Sequence, residues 1–147
     1  AYCSTFLVSE SVALYPYESC QRDGCLQGDS ANLVQCFFQK CGLELPEESS
    51  EFPDHLGFEF DFMGKLAREE SRWWEIGQTA AAERRRTQQM AFLGNHLLVW
   101  VPQYGKTVER MAAHPFYREI GRLTFDFMEM ESKEFSRKDQ GHSSDPV

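Results

Sequence analysis

The stretch Leu56-Gly57-Phe58-Glu59-Phe60-Asp61-Phe62-Met63-Gly64-Lys65-Leu66-Ala67-Arg68-Glu69-Glu70 decides between two kinds of fold. Its first half alternates apolar and acidic residues as a half-buried strand does. With a helical period, however, Leu56, Phe60, Met63 and Ala67 make one stripe, widened by Phe58, Phe62 and Leu66 beside them. The strand pattern stops at Phe62, whereas the helical pattern runs on through residues with good helix propensity to about Trp74. Pro53 stands where a first helical turn accepts proline, so the reading is a helix from Pro53 to about Trp74.

The neighbouring segments agree. Leu33, Val34, Phe37, Phe38 and Cys41 recur at three and four, preceded by Asp29 or Ser30 as N-cap and followed by Gly42 as C-cap. Further on, Met90, Leu93, Leu97 and Val101 mark a helix from about Thr79 that Pro102 is expected to close. A short helix over Thr107 to Ala113 follows. His114-Pro115 then opens a last helix whose buried stripe is expected to be Phe116, Ile120, Leu123, Phe127 and Met130. Residues 1–28 read as an ordered but irregular packed loop, and no pair of strands or internal repeat is evident. The expectation is all-α: a compact helical bundle over residues 1–132 with a polar tail over 133–147.

With 147 residues, 41% hydrophobic and 26% charged, the chain suffices for one globular core. A net charge of −8 argues against a binder of nucleic-acid backbones, which needs clustered Lys and Arg. No apolar run approaches the roughly 20 residues of a membrane span, so no stable membrane insertion is expected. Cys3, Cys20, Cys25, Cys36 and Cys41 are odd in number in a chain that needs no staples, which favours free core thiols and a cytoplasmic setting. Cys36 and Cys41, on one helix, sit about 140° apart around its axis and would diverge from a shared metal.

Two short motifs fail their context. Gly105-Lys106-Thr107 lacks the earlier glycine of a phosphate loop, that position being Trp100. Arg84-Arg85-Arg86 lies inside a helical pattern and reads as a solvated face.

Asp54, His55, Glu59 and Asp61 form the densest ionisable cluster. His55 and Glu59 are one helical turn apart and able to pair, and Asp54 suits a helix start. A metal-dependent or acid-base enzyme using Asp54, His55 and Glu59 is the alternative, although no nucleophile or third ligand stands beside them in sequence. The wider pattern is local acidity: residues 44–70 hold nine acids against two bases, nearly all of the chain's net charge. Such a surface beside aromatics suits a basic, partly apolar peptide, because carboxylates take guanidinium groups as bidentate partners.

Glu51-x-Pro53-Asp54-His55-Leu56-x-x-Glu59-x-x-Phe62-Met63-x-x-Leu66 closely resembles the signature of the TorD/DmsD/NarJ family of chaperones that mature molybdenum-containing redox enzymes. Tyr15-Pro16-Tyr17-Glu18-Ser19 resembles that family's Pro-Tyr-Glu-Ser segment. Phe92-Leu93-x-x-His96-Leu97-x-x-Trp100 and Phe116-Tyr117 resemble its later helices. The resemblance implies an all-helical cytoplasmic chaperone that catalyses no reaction and needs no cofactor or metal. Its partner would be a molybdoenzyme catalytic subunit, bound through its twin-arginine leader or as the apo-form until the cofactor is inserted. Leader binding maps onto Asp54 and His55, with Glu51, Glu59 and Phe58 as further peptide-binding candidates. The resemblance also implies helices ahead of the Pro-Tyr-Glu-Ser segment, which this sequence is expected to lack, and it allows a homodimer formed by domain exchange.

Overall fold

The computed structural model describes residues 12–43 and 51–141, with side chains through Arg137. The acidic run Glu44, Glu47 and Glu48 lies outside the described residues. A 3₁₀ turn over Val12–Leu14 leads into α1 (Glu18–Arg22), followed by α2 (Asp29–Lys40), α3 (Leu56–Glu75), α4 (Thr79–Phe92), α5 (Leu98–Met111) and α6 (Pro115–Gly141). Among the described residues the only β-type pairing is an isolated antiparallel bridge between Tyr17 and His55. The all-α expectation holds, and the alternating Phe58–Phe62 stretch is helical.

Local chemistry sets the helix ends. Helix α2 begins at Asp29 behind Gly28, and Asp23 caps it from outside, its carboxylate accepting from the Ser30 amide at 2.8 Å and from the Ser30 hydroxyl at 2.9 Å. Gly42, at φ 71°, ends that helix, and the Leu43 amide returns to the Phe38 carbonyl at 3.0 Å. Gly77, at φ 72°, turns the chain between α3 and α4, so the two pack side by side as a hairpin.

The core gathers Val34 and Phe38 of α2, Cys41 at its C-terminal cap, Phe62 and Leu66 of α3, Phe92, Leu93, Leu97, Trp100, Val101 and Met128. Phe38 stacks on Phe62 at 4.3 Å between centroids, and Phe62 meets Phe92 edge-on at 4.8 Å. Each such ring contributes about 1.5–3 kcal/mol by leaving water.

Beyond small shifts at the helix starts, such as α3 opening at Leu56 rather than Pro53 and α1 forming within the segment read as a loop, two features differ from the sequence reading. Pro102 does not close a helix: it lies inside α5, which runs unbroken to Met111. A π-helical turn over Leu93–Leu97 precedes it and eases the backbone ahead of the carbonyl that proline leaves without a donor. Burial of Trp100, Val101, Gly105 and Thr107 then outweighs the roughly 3 kcal/mol that proline costs a helix interior.

The second difference concerns the face of α6. Gly121 and Met128 are buried, while the expected stripe Phe116, Ile120, Leu123, Phe127 and Met130 is 42–65% exposed. Close approach of the backbones rotates the helix this way. A Cβ on Gly121 would lie 2.6 Å from the Glu109 amide nitrogen and 2.7 Å from the Gly105 carbonyl oxygen, so α5 and α6 meet glycine to glycine. The Gly105-Lys106-Thr107 segment therefore serves helix packing, with Lys106 set over the Phe125 ring at 4.3 Å. Helix α6 also continues through Lys133 to Gly141, into the region read as a polar tail.

Candidate functional site

Two segments far apart in sequence are stitched together at the start of α3. The Glu18 amide donates to the Asp54 carbonyl at 3.0 Å and the Leu56 amide to the Pro16 carbonyl at 2.8 Å, flanking the Tyr17–His55 bridge. Asp54 completes the joint: one carboxylate oxygen accepts from the Ser19 amide at 2.8 Å, satisfying an orphan donor in the first turn of α1. His55 performs the same service for α3, its Nδ1 accepting from the Gly57 amide at 3.0 Å.

Beneath this joint lies a buried polar network. Glu18, Asp54 and Glu59 are each fully buried, and His96 is 5% exposed. His96 Nδ1 faces both Glu18 carboxylate oxygens, at 3.0 and 3.2 Å, while its ring stacks on Phe92 at 4.6 Å. Arg22 reaches Glu18 from the rim, one turn along α1. Glu59 accepts from the Trp100 indole N–H at 3.3 Å. Burial, the negative charge of Glu18 and a hydrogen bond to it push the Glu59 carboxyl well above the usual range, so Glu59 carries a proton where an exposed glutamate would not. The Ser19 hydroxyl and the other oxygen of Asp54 have no hydrogen-bond partner among the described residues, and the other oxygen of Glu59 accepts from no N–H or hydroxyl donor there. Burial followed by the charges of Asp54 and Asp23 pushes the nearby Cys20 thiol up to about 11.

Above the network the surface is aromatic. Tyr17 packs edge-on to His55 at 5.0 Å, and Phe58 edge-on to the same imidazole at 6.0 Å. The Tyr17 hydroxyl donates to the exposed Glu51. Burial and that hydrogen bond raise the phenol above its ordinary range.

The structure thus divides the five peptide-binding candidates. Glu51, His55 and Phe58 reach the surface together, whereas the Asp54 and Glu59 carboxylates point inward and meet no solvent. Nor do Asp54, His55 and Glu59 converge as a catalytic set, because each engages a different partner: the Ser19 amide, the Gly57 amide and the Trp100 indole. The expected His55–Glu59 pair does not form. Asp61, the fourth member of that cluster, pairs with Lys65 at 2.9 Å on the solvent side of α3.

Glu18, Ser19 and His96 were not singled out by charge or spacing, although all three lie in segments that carried the resemblance. The signal available was a glutamate and a histidine set among apolar residues, each of which needs a partner once buried. Cys36 is exposed while Cys41 is buried, so the two do diverge. Cys20, Cys36 and Cys41 are free, but Cys25 is disulfide-bonded, which departs from the expectation of free thiols throughout. Among the described residues, no group of three or more His, Cys, Asp or Glu is placed to hold a metal ion, and no helix is long and apolar enough to cross a membrane.

The family model described as nitrate reductase delta subunit matches residues 1–104, which include every member of this network. The chain belongs to that family. It is similar to the chaperone protein TorD of Vibrio vulnificus, 27% identical over 133 residues that make up 89% of this chain and 60% of the relative. TorD of Vibrio cholerae is 27% identical over 131 residues, 88% of this chain and 58% of the relative. TorD of Aliivibrio salmonicida is 26% identical over 137 residues, 90% and 61% of the two chains. The chain therefore spans about 60% of the length of these curated relatives. No solved structure matches.

Proposed function

We propose that this chain is the peptide-binding part of a cytoplasmic chaperone for a molybdopterin-containing oxidoreductase, holding the client's twin-arginine leader or apo-form until its cofactor is inserted. It catalyses no reaction in this reading. The observation that carries it is the joint between Pro16–Ser19 and Pro53–Leu56, where the segments that bear the family resemblance build one shared surface. Glu51 supplies the charge that a leader arginine seeks, and Tyr17, His55 and Phe58 supply flat apolar area beside it. Asp54 and Glu59 act from below, holding the two segments in register rather than touching the peptide. Family membership and the similarity to proteins named chaperones support the reading. The same reading allows a homodimer formed by domain exchange.

The test is a titration of the protein with leader peptides from molybdoenzymes, each paired with a peptide whose two arginines are replaced by glutamine. Saturable binding that weakens with that replacement, with added salt and with the combined Glu51→Gln and His55→Ala changes is the expected result. Failure of every leader to bind a well-folded sample overturns the proposal.

A further inference from the structure

A peptide laid over Tyr17, Glu51, His55 and Phe58 brings a main chain as well as side chains, and its carbonyl groups need donors wherever water is displaced. The usual source is a strand edge with free amides, and at this joint that edge is spent. The Tyr17 amide donates to the Tyr15 carbonyl at 2.9 Å, and the Tyr17 carbonyl accepts from the Gln21 amide at 3.2 Å. The His55 amide donates to the Phe52 carbonyl at 3.1 Å, and the His55 carbonyl accepts from the amides of Phe58 at 2.8 Å and Glu59 at 3.1 Å. The bridge between the two segments is thus closed to a third strand, and a bound main chain has to be met by side chains.

Three of the four side chains have no donor to give. Phe58 has none, the Glu51 carboxylate only accepts, and the Tyr17 hydroxyl already donates to Glu51. His55 is different. Its Nδ1 accepts from the Gly57 amide at 3.0 Å, and a backbone N–H can only donate, so Nδ1 keeps its lone pair. The proton of the neutral imidazole therefore sits on the distal nitrogen, Nε2, which has no hydrogen-bond partner among the described residues. The cap holds the ring from one side, and Tyr17 at 5.0 Å and Phe58 at 6.0 Å hold it edge-on from others, so the donor has a fixed direction.

Charge selects the acceptor. Tyr17 spans from His55, against its ring, to Glu51, on its hydroxyl, so an anionic group placed on His55 would meet the Glu51 carboxylate about a side chain's length away. A carbonyl oxygen carries no net charge, and a peptide offers one at every residue.

We infer that His55 is the main-chain anchor of the peptide site: its Nε2–H donates to a backbone carbonyl oxygen of the bound peptide, while Glu51 takes the arginine side chain. The inference rests on the peptide-binding reading above and divides the labour within it, Glu51 selecting charge and His55 holding a group common to all sequences.

Leader peptides in which one amide at a time around the arginine pair is replaced by an ester test this, because an ester carbonyl is the weaker acceptor. They are titrated against the wild-type protein and against His55→Asn, which keeps an acceptor where Nδ1 stood, and with it the helix cap, but has no atom in the place of Nε2. One ester position should weaken binding to the wild type about three- to tenfold, the worth of one hydrogen bond, and the same ester should cost His55→Asn nothing beyond that variant's own loss. Circular dichroism should not change in the variant. A ring that served only as apolar area would lower the affinity of amide and ester peptides by the same factor. That result, or a scan with no sensitive position, overturns the inference and leaves the peptide-binding reading standing. Nitrogen NMR of the wild-type imidazole supplies a second reading without any substitution: the proton is expected on Nε2, and a proton on Nδ1 overturns the anchor. Failure of every leader to bind the wild type overturns the peptide-binding reading and the anchor with it.

Discussion

Glu59→Gln is the sharpest probe of the buried network. Glu59 is fully buried and its carboxyl is raised above 4.5, the value it has when exposed, by burial first and then by Glu18. Between that value and the raised one, the folded protein keeps a proton that the unfolded chain has released. Stability therefore falls as pH rises through this window, and the favourable contribution is fully present only below it. Glutamine has nearly the shape of the protonated acid: its carbonyl accepts from Trp100 and its amide donates toward Glu18, with no proton to lose. The difference in stability, Gln variant minus wild type, should grow with pH by up to about 1.4 kcal/mol per unit for one whole proton, then level off. Because the proton belongs to the Glu18–Glu59 pair, the slope reads the pair rather than one residue. Urea unfolding followed by circular dichroism at intervals from about pH 5 to about pH 8 measures it. Glu59→Ala serves as the contrast: it opens a cavity and strands the Trp100 N–H, so it should cost about 2–4 kcal/mol near pH 5, and its difference from wild type should carry the same pH slope offset by that cost. A flat difference for Glu59→Gln, or a loss exceeding about 1 kcal/mol at neutral pH, would refute the protonated assignment.

Three further outcomes follow from individual contacts. Asp54→Ala removes the acceptor of the Ser19 amide and should cost about 1–2 kcal/mol, read as a lowered urea midpoint with native helicity. Gly121→Ala forces a methyl against the α5 backbone and should destabilise by about 1–3 kcal/mol despite alanine's better helix propensity. Gly94→Ala, whose methyl meets only the tip of the Phe135 ring at 2.8 Å, should cost less than half as much, with both variants read by thermal melts followed by circular dichroism. Among the free thiols, a maleimide at pH 8 should label the exposed Cys36 within minutes, whereas the buried Cys20 and Cys41 should react only on unfolding, as mass spectrometry of the labelled peptides will show.

The helices were legible where one side chain pattern served one face. Helix α2 shows its stripe, its closing glycine and its neighbour's cap within a few residues of each other, and Leu56–Glu75 resolves once its length is weighed against its alternation. Helix α6 was misread for a reason that hydrophobicity alone does not carry. Its buried side is marked by Gly121, a residue with no side chain, because the closest packing between helices needs the smallest residue, while its larger apolar residues face outward. Pro102 misled in a similar way: local propensity was correct about the cost and silent about the packing that outweighs it. At the candidate site the sequence disclosed Asp54, His55 and Glu59 as a cluster but not their directions. Two of the three turn inward because their partners, Ser19 and Trp100, lie 35 and 41 residues away along the chain.

That inward turn changes how the signature should be understood. Three carboxyl groups in a protein interior are expensive, and a buried ionic group is weak evidence for stability. Here they instead fix a relation between segments that apolar packing would leave free to slide. Asp54 ties α3 to the start of α1, Glu18 ties α1 to the π-helical turn through His96, and Glu59 ties α3 to Trp100 beyond that turn. A slip of one residue between Pro16–Glu18 and Asp54–Leu56 would break the bridge and carry Tyr17 away from His55. The network therefore sets the geometry of the surface formed by Tyr17, Glu51, His55 and Phe58, and under the proposed function a peptide would meet that surface already assembled. On this argument the buried acids of the signature, Asp54 and Glu59, encode the scaffold of the proposed recognition, and the contacts themselves would fall to Glu51, His55 and the aromatics around them.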